Sequence, residues 1–411
     1  MTAAVGSRRI DLGKLLPQLI APVAALIIAA AISSVALLIS GKDPLLAFQH
    51  MYDYGTVPDS QVEILNKASE YYIAAVAVAI GFKMGLFNIG VEGQSKIGAF
   101  MAGALASASF MSWVPGPVRI VLIIVVAMIV GALWALIAAL LKTRRGVSEV
   151  ISTLMLNAIG GLVVTWLLND HWGVQEPRAQ IKTTGILPGN SRMPGLPIIS
   201  GTDQKVLGFL VIAVVLGVVY WFGIGRTRFG FDLRATGHNP SAAVASGVDA
   251  KRMVIVAMLI SGAIAGLVNL PRMLGESHTY TEGFGGIGFT GIAVALLGRN
   301  HPVGMALGAI LWGFLARSQL ILDLDGIPKE IVLIMQGVAV LSVVIAYELA
   351  ARIGRRAQQK RVGVATAVPA GSAPLAAAGV PTGGAGGATA PGATATETQA
   401  KSGDAGTEES K

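Results

Sequence analysis

Residues 225–252 read GRTRFGFDLRATGHNPSAAVASGVDAKR. Apolar runs flank this polar, basic stretch on both sides, Lys205–Phe222 before it and Met253–Leu270 after it. Long apolar blocks separated by charged connectors are the pattern of membrane helices. Inside the stretch the punctuation spells a short helix. Asn239 suits an N-cap, and Pro240 suits the first helical position, where its missing N–H would be unpaired anyway. Ser241 to Ser246 follow, and Gly247 can take the left-handed position that closes a helix. A capped surface helix between two spans exceeds what a connector needs, so we read it as a surface on which another protein acts.

The rest of the composition agrees. Only 13% of the 411 residues are charged and 53% are hydrophobic, and the mean hydropathy is +0.66. Soluble domains average about 25% charged residues. The fold class expected is all-α, a polytopic membrane protein, because lipid leaves no partner for an unpaired backbone. There is no cysteine, which excludes disulfides, thiolate chemistry and cysteine metal sites. The formal net charge of +8 raises nucleic acid as a partner. The basic residues lie in short clusters at span ends, so membrane orientation accounts for them and no nucleic acid is expected.

Taken in order, the apolar runs number about ten, each matched to the bilayer or to half of it. They are Gln18–Ser40, Ala68–Phe82, Ile97–Met111, Val118–Leu141, Val150–Leu168, Lys205–Phe222, Met253–Leu274, a short one from Gly288 to Gly298, Val303–Leu320 and Ile331–Leu349. Residues 1–17 form an N-terminal segment, and 18–355 the membrane domain. Residues 362–411, rich in Ala, Gly, Thr, Pro and Ser, form a tail that cannot bury a core and is expected to be disordered. The first run is too long for a signal-peptide core, and no small-residue cleavage site follows it. Placing the N-terminus inside puts nearly all Lys/Arg clusters in cytoplasmic segments, including 142–148, 225–252 and the C-terminal segment. Asp43, Asp53, Asp59, Glu63, Glu276, Glu282, Asp323 and Asp325 then fall outside. Arg119, Arg272 and Arg317 lie near outer ends and run against the rule.

A short span, a glycine-rich break and another short span occur at 68–111 and again at 253–298. Such paired interruptions mark inverted repeats and the permeation path in transporters. The plainer reading is close helix packing through Gly81/Gly85, Gly262/Gly266 and Gly304/Gly308. Gly286–Gly291 matches GxGxxG but follows no strand, so no dinucleotide site is expected. No GxxxxGK[ST], HExxH or GxSxG occurs, and the five histidines are scattered without metal spacing. No cofactor, metal or catalytic set is expected.

Polar residues inside spans are costly and so mark function. Asn88, Glu92 and Gln94 share the first break. Glu149, Thr153 and Asn157, at i, i+4 and i+8, form one stripe on a helix. Asn269, Arg272 and Glu276 form a third group near an outer end. The alternative for each is that it ties helices together, Glu92 through Lys96 for example.

Four segments together carry a resemblance. They are GLFNIGVEGQ at 85–94, SEVISTLMLN at 148–157, GHNPSAAVASGVDAKRM at 237–253 and GFTGIAVALLGRNHPVG at 288–304. In this order they resemble permease subunits of bacterial ATP-binding-cassette importers of the branched-chain amino acid and ribose class. The nucleoside and simple-sugar permeases are most similar, over roughly residues 15–355. The resemblance implies a bacterial plasma-membrane protein with both termini cytoplasmic. It implies ATPase subunits, a second permease subunit of a different chain, an extracytoplasmic solute-binding protein and membrane lipid as partners. ATP chemistry would belong to the ATPase chains, so this chain is no enzyme. The coupling set would be Gly237, Asn239, Pro240, Ala242, Ala243 and Gly247. Asn88, Glu92, Gln94, Glu149, Thr153 and Asn157 would line the path for a nucleoside or simple sugar. A secondary transporter is the competing class; it would need a coupling-ion site and no ATPase partner.

Overall fold

The computed structural model describes residues 12–175, 181–283 and 285–366. The first eleven residues and, of the tail expected at 362–411, all those beyond 366 lie outside them, while 362–366 continue the last helix. The chain is helical in the order α1 (Leu12–Ile39), α2 (Pro44–Thr56), α3 (Pro58–Lys83), α4 (Val91–Ala106), α5 (Gly116–Arg145), α6 (Glu149–Leu167), α7 (Phe209–Arg226). There follow α8 (Arg228–His238), α9 (Pro240–Ala245), α10 (Ala250–Gly266), α11 (Ile287–Leu297), α12 (Pro302–Leu324) and α13 (Glu330–Thr366). The sheet content described is two short antiparallel pairs in the loop between α6 and α7, Val174–Gln175 with Lys182–Thr183 and Gly195–Leu196 with Val206–Leu207.

The greater part of each apolar run is helical, although Lys205–Phe222 begins in the strand Val206–Leu207, and Ile97–Met111 and Met253–Leu274 run past the ends of α4 and α10. Among the described residues five helices are long and apolar enough to cross a membrane on length and composition alone: α5, α6 with its extension to Trp172, α7, α12 and the Glu330–Leu349 part of α13. The bent pair α1 and α2, at 116°, makes a sixth if it counts as one span. The sequence reading missed α2 and the outer half of α3, which it took as a polar connector from Asp43 to Lys67. Asp43 accepts a hydrogen bond from Leu45 N and Pro44 opens α2, while Pro58 opens α3. It also missed α8 inside the 225–252 loop, capped by Thr227 on Gly230 N.

The core is organised on α3. Residues Ile73 to Ala79 are fully buried on every side, as expected of a helix surrounded by others. The run is rich in alanine, so neighbours approach closely: Gly291 of α11 packs on Ala74 and Gly313 of α12 on Ile64. On the other side α4, α5 and α10 meet through glycines. A Cβ on Gly266 would lie 2.0 Å from the Ala127 carbonyl oxygen, and one on Gly131 2.3 Å from that of Gly262. The Gly262/Gly266 pair thus joins helices by backbone contact. Outward faces of α5, α6 and α7 present large apolar side chains such as Leu133, Leu162 and Val218, a surface that suits hydrocarbon and not water.

The outer-end arginines have structural employment. Arg119, fully buried at the start of α5, donates to Asn190 Oδ1 (2.8 Å), Ser191 Oγ (2.7 Å) and the Val114 carbonyl (2.7 Å). It pins the long outer loop to the helix bundle. Arg317 pairs with Glu63 and donates to Ser60 Oγ.

Candidate functional site: two helix breaks joined at Glu92

The first break begins where α3 ends. Gly85 takes φ +71°, and the bonds Gly85 N to Phe82 O and Leu86 N to Gly81 O close the helix. This is the six-to-one and five-to-two pattern that a left-handed glycine permits. The chain then climbs through residues 86–90 to start α4.

Asn88, Gln94 and Asn157 hold that climb. Asn88 Nδ2 donates to Ser261 Oγ (2.8 Å) and Gln94 Oε1 (3.2 Å), while its Oδ1 accepts from Gly90 N (3.0 Å) and Gln94 Nε2 (3.1 Å). Asn157, on α6, accepts from Gly93 N (2.8 Å) and donates to the Ile89 carbonyl (3.0 Å). Asn88, Gln94 and Thr153 are almost fully buried. Thr153 bonds its own helix through the Glu149 carbonyl and packs its Cβ where Gly90 has none. Glu149, at the inner end of α6, pairs with Lys142 and accepts from Phe87 N at 3.4 Å. The structure thus brings the two sequence groups into one assembly around residues 86–94. It leaves the amides of Asn88 and Gln94 occupied by each other and by Ser261.

Glu92 differs. Its carboxylate leaves the clasp and crosses to the second break. Oε1 accepts from Gly286 N (2.7 Å) and Oε2 from Gly288 N (3.0 Å), capping the N-terminus of α11. Lys96 Nζ lies 3.0 Å from Oε1. Acceptors are favoured at a helix N-terminus, where backbone donors are unpaired and the dipole is positive. The glycines make room: a Cβ on Gly288 would stand 2.5 Å from Glu92 N. The short ends of the two broken pairs, α4 and α11, therefore meet N-terminus to N-terminus. Along α6, Asn157 lies roughly 12 Å from Glu149, at 1.5 Å per residue. Gly93, which it holds, and Glu92 beside it in the chain thus sit near the middle of a hydrocarbon core about 30 Å thick.

The second break is built otherwise. After α10 the chain turns through a wide helical turn at Arg272–Ser277, then takes left-handed positions at His278 (φ 53°) and Gly286 (φ 88°). Residues 274–281 pair with the outer loop through Met193 N to Leu274 O, Leu187 N to His278 O and Thr184 N to Tyr280 O. Tyr280 is buried and meets Phe100 of α4 edge-on at 5.7 Å. On the same side, Lys67 pairs with Glu276 at 2.8 Å. Of the third sequence group, Asn269 donates to Ser95 Oγ (3.1 Å) and Arg272 to the Gly283 carbonyl (3.4 Å). The sequence reading weighed Gly286 and Gly288 only as part of a dinucleotide-like GxGxxG match and did not single out Ser261 or Glu70. Their chemistry lies in contacts between distant segments that no local pattern announces.

Near the end of α3, Asn239 caps α9 by accepting from Ala242 N at 3.1 Å, Pro240 is its first residue, and Gly247 (φ 85°) closes it. Val248 N to Ala243 O and Gly247 N to Val244 O complete the same closing pattern as in α3. Ala243 is 3% exposed and packs against the protein, whereas Pro240, Ser241, Ala242, Val244 and Ala245 are exposed. On so short a helix, one turn faces in and the rest out. Gly237, at the end of α8, lies against the turn that ends α3: its Cβ would stand 2.6 Å from the Met84 carbonyl carbon. The exposed helix and the first break are thus one backbone contact apart.

A groove of about 500 Å³ between α3, α7 and α12, bordered by Tyr72, Gly217 and Trp221, is almost wholly apolar. It offers nothing to a polar solute.

Broken helices that meet at mid-depth inside a bundle of apolar helices define a multi-pass membrane protein of the transporter type. The pattern of the permease components of branched-chain amino acid transport systems matches residues 60–344. The chain belongs to that family, and it is a transport subunit, not an enzyme. Over 351 residues it is 33% identical to the guanosine ABC transporter permease protein NupP of Bacillus subtilis, covering 83% of this chain and 97% of that one. It is 28% identical to the nucleoside ABC transporter permease protein NupB of Lactococcus lactis, over 80% of this chain and 92% of that one. It is 29% identical to the glucose ABC transporter permease protein TsgB13 of Haloferax volcanii, over 78% and 85%. No solved structure matches the chain.

Proposed function

We propose that this permease subunit forms, with a second permease of a different chain, the import path for a nucleoside or simple sugar handed over by an extracytoplasmic solute-binding protein. ATPase subunits dock from the cytoplasm on α9, through Ala242, Val244 and Ala245, with Asn239, Pro240 and Gly247 fixing its shape. Gly237 passes their motion to the turn at Met84 and so to the first break. Asn88, Gln94, Glu149, Thr153 and Asn157 make that break one rigid piece. Glu92 is the group on the path, because its carboxylate reaches from α4 to the second break and can exchange its bonds to Gly286 and Gly288 for bonds to a solute. The observation that carries this reading is the Glu92 junction, a carboxylate borne by the first turn of α4 that caps the N-terminus of α11.

The N-terminus is cytoplasmic in this reading. The chemistry of the path favours a solute with many hydrogen-bonding groups over an apolar one. Uptake of labelled nucleosides, glucose, ribose and leucine by the reconstituted complex tests it. Uptake of a nucleoside or sugar supports it, and uptake of leucine alone overturns it.

A further inference from the structure

Two polar atoms deep in the bundle have no partner. Glu70, on α3, is 1% exposed and its Oε2 makes no hydrogen bond; Oε1 faces Lys67 at 3.5 Å, while Lys67 sits closer to Glu276. Asn269 is also 1% exposed, and its Oδ1 is unpaired. The orientation of that amide follows from its neighbour. Ser95 donates its hydroxyl hydrogen to the Glu92 carbonyl at 2.8 Å, so it can only accept from Asn269 Nδ2 at 3.1 Å. The free atom of Asn269 is therefore its oxygen. Buried polar atoms in folded proteins are almost always paired, so two such atoms call for a reason.

Both atoms lie within about one helical turn of the level of Glu92. Gly291 packs on Ala74 and Gly288 on Glu92, and α3 and α11 run side by side in the same direction. Glu70, one turn before Ala74, thus falls within roughly 2 Å of the level of Glu92 at 1.5 Å per residue. Ser95, which holds Asn269, is about 5 Å further out by the same measure. Both free atoms are oxygens, and a hydroxyl group can satisfy each of them.

We infer that Glu70 Oε2 and Asn269 Oδ1 accept hydrogen bonds from the hydroxyl groups of the solute's sugar ring. This rests on the reading of the chain as a nucleoside or sugar permease and names the part of the solute that it holds. A ring with neighbouring hydroxyls supplies two O–H donors from one rigid body. A site built to bond hydroxyls rejects the analogue that lacks them.

The test is competition for uptake by the reconstituted complex, with adenosine against 2′,3′-dideoxyadenosine, and glucose against 3-deoxyglucose. The solute-binding protein is the same throughout, so any change in the discrimination ratio between variants belongs to the permease. Glu70→Gln and Asn269→Ala should each reduce the wild-type preference for the hydroxylated solute about tenfold, with the uptake of the deoxy analogue little changed. An unchanged ratio in either assembled variant overturns the inference. Failure of both variants to assemble also overturns it, by making the two side chains structural ties. If the wild-type complex carries neither nucleosides nor sugars, the broader reading fails first, and that result is distinct from the other two.

Discussion

The two breaks are alike in sequence and unlike in construction. Both are glycine-rich interruptions between short apolar runs. The first, residues 84–90, is closed on itself: a left-handed glycine ends α3, and Asn88, Gln94, Ser261 and Asn157 spend their hydrogen bonds on each other and on the backbone. The second, residues 267–286, is held mainly by the outer loop and by one carboxylate that reaches across from α4. The first is rigid because its partners lie within the bundle. The second can part from α4 by losing the two bonds at Glu92, the Asn269–Ser95 bond and the Tyr280–Phe100 contact. A transporter that rocks one part against another needs such an asymmetry, a fixed piece and a releasable one.

The largest effect expected is on the fixed piece. A Cβ at Gly93 would stand 2.8 Å from Asn157 Oδ1 and 2.9 Å from Asn157 Cα. Gly93→Val should leave little assembled protein in detergent, read as the monodisperse fraction in size-exclusion chromatography. A wild-type yield would show that the first break yields easily and would erase the contrast. Next is Asn88→Ala, which strands the Gln94 amide and the Gly90 N–H in a buried site. We expect a loss of about 2–3 kcal/mol, the cost of leaving buried partners unsatisfied, seen as a lower melting temperature.

The inner loop gives a paired prediction of middle size. Ala242→Arg places a charge on the exposed face of α9 and should lower transport while sparing assembly. Ala243→Arg buries that charge against the bundle and should reduce assembly itself. Equal outcomes would contradict the orientation of α9. A cysteine placed at Ser246 should react only from the cytoplasmic side, against a background with no native cysteine.

These residues also show what the sequence could and could not say. The caps of α9 were legible because Asn239, Pro240 and Gly247 act through bonds to residues a few positions away. The same locality made Asn88, Glu92 and Gln94 visible as a group. The facing of Ala243 was not legible, since six residues give no usable periodicity. The partner of Glu92 was half legible: Lys96 is one turn along the same helix, while Gly286 and Gly288 lie almost two hundred positions away. Helices α2 and α8 were passed over because polarity was read as loop, although Asp43–Pro44 and Thr227 carry ordinary start signals. Arg119 looked like an exception to the charge rule until the outer loop was seen folded onto it.

The smallest effect belongs to the outer edge of the second break. His278 lies in the loop outside the spans, and burial, with the Arg192 guanidinium second, holds its pKa below the usual histidine value. A histidine with a lowered folded-state pKa destabilises when it is protonated. Stability should therefore fall slightly as pH drops through about 6.5, the ordinary histidine value. His278→Asn, which tolerates the left-handed backbone, should flatten that acid response in melting curves taken from pH 8 to pH 5. An unchanged slope would remove His278 from the account of the second break.

The most direct test of the account is Glu92→Gln, with transport and melting temperature measured on the same preparation. The substitution keeps the length of the side chain and removes the charge that holds Gly286, Gly288 and Lys96. If Glu92 is the releasable joint on the path, transport per assembled complex falls about tenfold or more, some 1.4 kcal/mol in a barrier, while the melting temperature moves by only a few degrees. If transport per assembled complex is unchanged and only the yield or the melting temperature falls, Glu92 is a structural tie, and the path does not run through the junction of the two breaks.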